Sequence, residues 1–584
     1  MAMDQRRQSR IYFTYILLII FAIFGYGIRK ICCFTLFPDE FGYWASAARW
    51  AGYNWSDVAG LGSYYSFGYG VLLLPLLKLI SDGILLYRAA VGMNMVLMCA
   101  SVFGLCGIIK ELFPERDPVQ GVFASGIAVL YPSWIVYMQM TMTEALLMFL
   151  FVMITGLLVR FMRKPGELTA VWLALALIYL YCVHMRTLGV VIACAAVIAI
   201  WGISEKPGRR PVIVFFITLL AAGALSIGIK QYVIAEVFGQ AKESVLRTND
   251  YGGLWEKIEE VFSISGMIHF IMGITGKVFY LGLAGFGLFY PAAGWCIRLL
   301  RDREKRPQKG IALFLILSTV FEILICTIYM IRKENVDSLI YGRYNDFLMP
   351  VLIAVGVCAL TENRHPFRLS AMCGMASGMM AFLLALLVKE EGREGIREYM
   401  VVGISYLLRK DSFEPYLYFA SACVLGVGTI FFTTLLLWLS VRREGRCWML
   451  GGILLMETVL GLYASHQIPY HYNETHFIDQ VVAETIAERS DEDAAVIYLK
   501  EDRSKYIDAI QMMLGPTPIK VIEPEAFFER IRDGADGEET KPEDFVITVS
   551  WTRYGERLEK IFDRHVEANS FHLYYNRRRD PDKE

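Results

Sequence analysis

Thirteen apolar segments, separated by polar connections, run along the first 464 residues of the sequence. Each is 17–26 residues long, and a helix of about 20 apolar residues spans the roughly 30 Å hydrocarbon core of a membrane. The segments lie near 11–28, 88–109, 119–137, 144–160, 168–184, 187–203, 211–229, 276–297, 310–331, 345–361, 369–388, 416–441 and 447–464. This pattern predicts a polytopic α-helical membrane protein of about 13 spans.

The connections between the segments predict the topology. Alternate connections are short and basic, and such loops stay in the cytoplasm. They lie near 110–116, 160–164, 206–210, 298–309, 364–368 and 442–446. All can be cytoplasmic only if the segment 67–81, which contains Pro75 and Lys78, is re-entrant or interfacial and does not cross. The N-terminus, with Arg6 and Arg10, is then predicted inside and the C-terminus outside.

The unusual polar sequence falls on the predicted outer side. A first outer loop, about 29–87, is long and aromatic, and further polar stretches lie near 230–266 and 389–415. In the tail, 465–584, β-rich runs alternate with helix-like stretches, which predicts a small extracytoplasmic α/β domain with a short parallel sheet. The β-rich runs are Ala494–Leu499, Pro518–Ile522, Phe545–Ser550 and Ser570–Tyr575, and the helix-like stretches are 503–513, 524–533 and 554–564. The chain thus divides into a transmembrane module, 1–464, and this domain.

Composition narrows the class of protein further. Hydrophobic residues make up 55% of the chain and charged residues 20%, against about 45–50% and 25% in soluble domains, which excludes a soluble enzyme. The net charge is −1, so there is no electrostatic case for a nucleic-acid partner. The twelve cysteines include no CxxC pair. His466, His471 and His476 are five residues apart and would not share a helix face, and Pro469 is expected to break that helix, so no metal site is predicted.

Adjacent carboxylates, Asp39 and Glu40, follow the first segment on the outer side. A carboxylate held at the membrane boundary near a hydroxyl can act as a general base. The alternative is a solvated interfacial acid beside anchoring tryptophans. A further acid, Glu144, begins the fourth segment, where it either stabilises the helix N-terminus or faces the same outer cavity.

Two arginines stand at outer boundaries of the apolar segments. Arg186 lies in a tight turn, and Arg343 precedes the segment near 345–361. A boundary arginine is costly unless paired, and its planar guanidinium suits phosphate. Snorkelling to lipid headgroups is the alternative for each of them.

In their order along the chain, these elements resemble the GT-C superfamily of polyprenyl-phosphate-dependent glycosyltransferases, and in particular the aminoarabinose transferase and protein O-mannosyltransferase branch. The resemblance rests on Asp39-Glu40 in a long first outer loop, the stretch YYSFGYGVLLLP at 64–75, Glu144, Arg186, and Arg343-Tyr344 followed by Pro350. Thirteen spans with a small outer C-terminal domain are also similar to that branch. The resemblance covers most of the chain.

The resemblance implies roles for the charged residues. Asp39 is expected to be the catalytic base, with Glu40 and Glu144 as further catalytic carboxylates that shape the acceptor side. Arg186 and Arg343 are expected to hold the lipid-linked phosphate.

Other expected substrate-binding residues come from the same resemblance. They are Tyr344, beside the second arginine, and Tyr65, in the re-entrant stretch. Relatives often have a lysine or histidine beside the proline of that stretch, where this sequence has Ser66-Phe67. Lys78 is the candidate substitute.

The implied function is transfer of a sugar from a polyprenyl-phosphate donor, with inversion, to a hydroxyl of a cell-envelope acceptor, which is a lipid, polymer or protein. No nucleotide motif is present in the tail, and no cluster demands a divalent metal, although the chemistry is compatible with one. Membrane lipids are the other expected partners. The alternatives are an O-antigen-type polymerase or ligase, a lipid or glycan transporter, and a non-catalytic membrane scaffold.

Overall fold

Long helices form most of the fold, and a five-stranded sheet follows them near the C-terminus. The computed structural model describes residues 2–204, 209–239, 254–302, 308–407, 414–442, 448–489, 494–501, 506–533 and 545–576. Parts of the predicted basic connections near 206–210, 298–309 and 442–446 lie outside these residues. So do parts of the polar stretches 230–266 and 389–415 and the beginning of the helix-like stretch 503–513.

The helical module contains twenty described α-helices. They are α1 (Ala2–Gly27), α2 (Asp39–Ala51), α3 (Ser56–Ala59), α4 (Gly68–Leu79), α5 (Gly83–Leu112), α6 (Pro118–Val129), α7 (Pro132–Met138), α8 (Thr143–Arg163), α9 (Glu167–Val183), α10 (Leu188–Ser204), α11 (Arg209–Val237), α12 (Leu254–Val261), α13 (Ile264–Ala284), α14 (Phe289–Arg301), α15 (Gln308–Met330), α16 (Val336–Ile340), α17 (Met349–Thr361), α18 (Pro366–Glu391), α19 (Pro415–Arg442) and α20 (Trp448–Ser465). Short 3₁₀ turns occur at Ile28–Lys30, Met185–Thr187, Asp346–Leu348, Glu398–Met400 and Val402–Leu407.

Ten helices in the described part of the chain are long and apolar enough to cross a membrane. The pair α6 and α7, bent by 61°, adds one more if it is counted as a single span. Two further predicted segments correspond to shorter apolar helices, Glu167–Val183 and Asp346–Thr361. The expectation of a polytopic helical membrane protein is therefore confirmed, and its number of spans roughly fits.

Local sequence signals set where helices begin and end. The Asp82 side chain accepts a hydrogen bond from the Leu85 amide, 2.6 Å away, at the start of α5. The predicted single segment 276–297 is instead two helices, α13 and α14. Phe286 and Gly287 between them have φ values of 51° and 78°, and such left-handed residues end a right-handed helix.

The predicted re-entrant segment forms α4, which is twelve residues long. Such a helix is about 18 Å long, which is short of the roughly 30 Å hydrocarbon core. It packs against the end of α9, where a Cβ at Gly68 would clash with the backbone of Cys182 and Val183. Glycine is therefore required for this close approach.

The C-terminal part holds a mixed sheet. Its elements are α21 (His471–Arg489), β1 (Val496–Leu499), α22 (Asp508–Leu514), β2 (Ile519–Ile522), α23 (Pro524–Asp533), β3 (Phe545–Val549), α24 (Gly555–Leu558), β4 (Arg564–Glu567) and β5 (Phe571–Tyr575). The strand order is β2-β1-β3-β5-β4, with β1 parallel to β2 and β3, and β5 antiparallel to β3 and β4. The predicted parallel pairing is thus found for β1, β2 and β3, whereas β4 and β5 pair antiparallel. The predicted helix 554–564 is only the one turn of α24, because the chain turns there into β4 and forms a hairpin with β5.

The last membrane helix does not stop at the predicted boundary near residue 465. It runs from Trp448 to Arg489 as one 42-residue helix. Pro469, which was expected to break it, lies in a π-helical turn, His466–Tyr470. Such a widened turn accommodates the missing proline N–H without ending the helix.

The sheet domain is attached to the first outer loop by hydrogen bonds. Trp55 Nε1 donates to the Gly515 carbonyl at 2.8 Å, and the Val521 amide donates to Asp57 at 3.3 Å. On α21, the Asn473 side-chain oxygen accepts from the amide of Cys32 at 2.8 Å. These contacts join the domain to the loop that carries Asp39.

Candidate active site

Four segments that are distant in sequence meet around one charged cluster. They are the first residue of α2 (Asp39), the first turn of α8 (Glu144), the turn between α9 and α10 (Arg186), and the turn after α16 (Arg343). Asp39 and Glu144 lie in the first turns of their helices, and Arg186 and Arg343 lie in turns between helices. The structure therefore brings together four of the residues that the sequence singled out.

Glu144 is the centre of the cluster. One of its oxygens, Oε1, accepts hydrogen bonds from Arg343 Nε at 2.9 Å and from Arg186 Nη2 at 3.1 Å. The side chains of Glu144, Arg343 and Arg186 are 0%, 3% and 4% exposed. Buried charges persist only when they are paired, and here one carboxylate serves two guanidinium groups.

Asp39 completes the cluster on its open side. Its Oδ2 lies 2.9 Å from Arg343 Nη2, and its Oδ1 accepts a hydrogen bond from the Tyr65 hydroxyl, also at 2.9 Å. The Asp39 side chain is 28% exposed. It is therefore the carboxylate of the cluster that a molecule arriving from solvent can reach.

Arg186 has hydrogen-bond donors that are not paired with any described residue. Its guanidinium stacks over the Tyr344 ring, 4.4 Å from the ring centre. Its Nε and Nη1 are buried and have no hydrogen-bond partner among the described residues. Buried donors of a charged group are costly to leave unpaired, so this part of the site is suited to an anion.

The electrostatics keep the cluster ionised. Burial opposes the charge on Arg343, but the carboxylates of Glu144 and Asp39 outweigh it and raise the pKa of its guanidinium well above the ordinary value. The two arginines balance the two carboxylates. An arriving phosphate would therefore be bound by the unpartnered Nε and Nη1 donors of Arg186 and not by a net positive charge.

Glu40, predicted as a further carboxylate of the site, has different partners. Its oxygens accept five hydrogen bonds, from the amides of Thr35, Leu36 and Thr141 and from the hydroxyls of Tyr87 and Thr141, at 2.6–3.0 Å. Its side chain is fully buried. These are the contacts of an anchor that holds the first outer loop against the segment before α8.

Lys78 is not brought to the cluster. It is an exposed residue near the C-terminal end of α4. The predicted substitute for a lysine or histidine beside the re-entrant proline therefore has no counterpart in this geometry. Tyr65 and Tyr344, the other predicted binding residues, do contact the cluster.

Sequence reasoning assigned no role to Asp346. Its two oxygens accept hydrogen bonds from the hydroxyls of Tyr131, Tyr137 and Tyr280 at 2.7–3.1 Å. This cage fixes the turn that carries Arg343. The available signal was an acid three residues after a boundary arginine, but the partners come from α6–α7 and α13, which spacing alone does not connect.

The described residues contain no group of three or more His, Cys, Asp or Glu side chains placed to hold a metal ion. The three histidines noted in the sequence lie along one helix, and His476 packs edge-on against Phe37 with ring centres 5.2 Å apart. The charged cluster offers two carboxylates, and both are paired with arginine.

Comparison with known proteins establishes the fold. No family model matches the chain, and no curated protein sequence matches it. The crystal structure of ArnT from Cupriavidus metallidurans in the apo state superposes with a TM-score of 0.53 at 12% identity, covering 96% of this chain and 97% of that chain. The structure of the same protein bound to undecaprenyl phosphate gives 0.50 at 13% identity with the same coverage. The expected GT-C fold is confirmed.

Proposed function

We propose that this chain, which has the GT-C fold, is a membrane glycosyltransferase that moves a sugar from a polyprenyl-phosphate donor to an acceptor hydroxyl. The observation that carries the proposal is the cluster itself. A reachable carboxylate, Asp39, lies beside two buried arginines, one of which has unpartnered donors. A base next to an anion site is what transfer from a phosphate-linked sugar requires.

The donor phosphate is assigned to Arg186 and Arg343. Arg186 offers Nε and Nη1, and its position over Tyr344 fixes the plane of the guanidinium. The ArnT structure with the same fold binds undecaprenyl phosphate, which supports a polyprenyl phosphate as ligand here. The sugar then lies beside Asp39, on the exposed side of the cluster.

The reaction proceeds as a single displacement. The acceptor oxygen forms a bond to the anomeric carbon while Asp39 takes its proton. The bond from that carbon to the phosphate oxygen breaks, and its electron pair leaves with the phosphate. Fixed guanidinium groups stabilise this developing charge without reorganising. Attack opposite the leaving phosphate inverts the anomeric configuration.

The proposed topology places this chemistry outside the cytoplasm. The N-terminus lies in the cytoplasm, residues 1–464 form the transferase module, and 465–584 form the extracytoplasmic domain. The charge asymmetry of the connections supports this orientation.

The test is transfer of label from a panel of radiolabelled polyprenyl-phosphate sugars in membranes that contain natural acceptors. The wild type is compared with Asp39→Asn, and both are checked for equal expression. We expect label in a new product only with the wild type. Transfer by the variant at the wild-type rate would remove Asp39 as the base. Absence of transfer from every donor by the folded wild type would favour a polymerase, ligase or transporter.

A further inference from the structure

The helix α12 turns its acidic side to the helix bundle. Glu256 and Glu260 are four residues apart and therefore lie on one face of α12. Both bind Arg332, which follows α15: its Nη1 lies 3.2 Å from Glu256 and its Nε 2.5 Å from Glu260. A surface helix of a soluble protein does the opposite and packs its apolar side against the core. The apolar side of α12 is therefore left to face outward.

The outward side carries large exposed aromatic residues. Trp255, Ile258 and Phe262 are three and four residues apart, which places them on one face, and we call these three residues the α12 face. Trp255 is 78% exposed, and Phe262, one residue beyond the end of the helix, is 79% exposed. Exposed apolar residues grouped in this way mark a surface that contacts a membrane or another protein.

The α12 face continues into the surface of a membrane helix. α13 begins at Ile264 and is one of the helices that are long and apolar enough to cross a membrane. Its exposed side carries Ile264, which is 87% exposed, Ile268 and Ile271, at the spacing of one helix face. In a membrane helix such a stripe contacts the acyl chains of lipids. Phe262 is two residues before this stripe begins, so the α12 face lies where the acyl region meets the headgroups.

The corner between α12 and α13 is held by local contacts. The Ser263 hydroxyl donates to the Glu260 carbonyl at 2.8 Å and accepts from the Gly266 amide at 2.9 Å. A Cβ at Gly266 would clash with the Glu260 carbonyl, so this close approach requires glycine. α12 therefore keeps its angle to the membrane helix that follows it.

Ring contacts link α12 to the charged cluster. Lys257 Nζ lies 4.1 Å from the centre of the Tyr329 ring on α15. The Tyr329 ring centre is 6.2 Å from that of Tyr344, and the Arg186 guanidinium lies 4.4 Å from the centre of the Tyr344 ring. The position of α12 therefore bears on the side of the cluster that is assigned to the donor phosphate.

We propose that the α12 face docks on the lipid bilayer, at the membrane surface next to the charged cluster. Trp255 and Phe262 enter the boundary between headgroups and acyl chains, where aromatic side chains of interfacial helices are favoured. A second copy of the chain is the other occupant that such a face could take, but its continuation into the exposed stripe of α13 favours lipid. The lipid contact stands apart from the proposed function, and only its effect on donor binding rests on that function.

The experiment uses the full chain in nanodiscs of phosphatidylethanolamine and phosphatidylglycerol. Trp255→p-benzoylphenylalanine and Phe262→p-benzoylphenylalanine each place a photoreactive ring on the α12 face. The matched controls carry the same group at Phe103, which is exposed on the membrane helix α5, and at Trp551, which is exposed in the sheet domain. After irradiation, mass spectrometry measures the yield of phospholipid adducts, and gel electrophoresis detects chains that are cross-linked to each other.

We expect the adduct yield at residues 255 and 262 to approach the yield at Phe103 and to exceed the yield at Trp551 about tenfold, because an interfacial helix immerses its apolar side chains in the lipid. A yield as low as that at Trp551 would overturn the docking on lipid. Cross-linking between two chains without lipid adducts would replace the bilayer by a second copy as the partner.

A smaller effect is expected on donor binding, measured with the labelled donor that the membrane assay identifies. Trp255→Glu puts a charge on the α12 face and raises KM for the donor about threefold, whereas Trp255→Phe keeps it normal. An unchanged KM together with lipid adducts at residue 262 would overturn the link to the cluster and leave the docking in place. A folded wild type that transfers from no donor contradicts the proposed function, while adducts at residues 255 and 262 would still establish the lipid contact.

Discussion

Asp39 and Glu40 are neighbours in sequence, yet they belong to two regions with opposite properties. Asp39 is 28% exposed, and its carboxylate faces Arg343 and Tyr65. Glu40 is fully buried and receives five hydrogen bonds, three of them from backbone amides. Because α2 begins at Asp39, the two side chains leave the helix in different directions.

The difference separates a reactive carboxylate from a structural one. A carboxylate saturated by donors has no lone pair left for a substrate proton. Glu40 can position Asp39, since it fixes the loop before α2 to the segment before α8. In this acidic pair Asp39 is therefore assigned to the reaction and Glu40 to positioning, and single substitutions separate the two roles.

The largest expected effect is on the rate. Asp39→Asn lowers kcat about 10²–10⁴-fold, the usual contribution of a general base. The melting temperature stays within about 2 °C because Arg343 keeps its bond to Glu144. Transfer assays and thermal unfolding of the same preparation measure both quantities. A normal rate with a lowered melting temperature would reverse the assignment of the two carboxylates.

The next effect is on the ion cluster behind Asp39. Glu144→Gln leaves two buried guanidinium groups without their shared carboxylate. Breaking a buried pair in this way costs about 3–5 kcal/mol, so the protein unfolds at a markedly lower temperature and transfer is lost. Glu144→Asp, which retains the charge, is the control and is expected to recover part of the stability. Equal stability of both variants would contradict the role of the charge.

Glu40→Gln tests the structural half of the comparison. The glutamine amide places N–H donors against the donors of Thr35, Leu36 or Thr141, and an unsatisfied buried group costs about 1–3 kcal/mol. The free energy of unfolding falls by that amount, while KM and kcat of the folded fraction remain close to normal. A large loss of kcat at full stability would show that Glu40 takes part in the reaction.

Asp508 sharpens the comparison because it is buried like Glu40 but lacks donors. Both of its side-chain oxygens are without hydrogen-bond partners among the described residues, and burial raises the pKa of Asp508 well above the ordinary value of 3.8. Cys33 and Tyr506 interact electrostatically with it, and Cys33 in turn with Glu40. The raised pKa favours the protonated form in the folded protein.

The stability that Asp508 provides is therefore complete below pH 3.8, the ordinary pKa, and is lost as the pH rises through the higher folded value. We expect the melting temperature of the wild type to fall by a few degrees between pH 5 and pH 8 relative to Asp508→Asn. The asparagine variant is the more stable of the two at pH 8. Parallel pH profiles for the two proteins would show that Asp508 does not titrate in this range.

The smallest effect is expected for Lys78. Because it is exposed and makes no hydrogen bond or ion pair with the cluster, Lys78→Ala changes the free energy of unfolding by less than about 0.5 kcal/mol and leaves transfer unchanged. A fall in donor affinity, measured as a rise in KM, would restore Lys78 as a phosphate contact.

Much of the site could be predicted because its charges sit at the ends of apolar segments. Four charged residues lie near apolar segments on the same predicted side: Asp39, Glu144, Arg186 and Arg343. Packing of the helices into one bundle brings the loops on that side close together. The partners of Glu40 were not predictable in the same way. They are two loop amides, the hydroxyl of Tyr87, and Thr141, about one hundred residues away, and no periodicity connects them.

The fold shows the same limit. Apolar length predicted the membrane helices well, since the bilayer fixes how long they must be. It did not reveal the break at Phe286-Gly287, which depends on two residues in a left-handed conformation. Alternation of strands and helices predicted the α/β domain, but β4 was missed because its residues, Arg564–Glu567, are mostly polar and exposed.

The continuous helix from Trp448 to Arg489 sets the distance between the membrane and the C-terminal domain. Forty-two residues correspond to about 63 Å, of which the hydrocarbon core takes about 30 Å. The remainder sets the height at which the sheet stands. Because each added residue lengthens a helix by about 1.5 Å and turns it by about 100°, a single insertion after Tyr470 would swing the domain to another side of the bundle. The number of residues in this helix therefore determines which side of the C-terminal domain lies opposite Asp39.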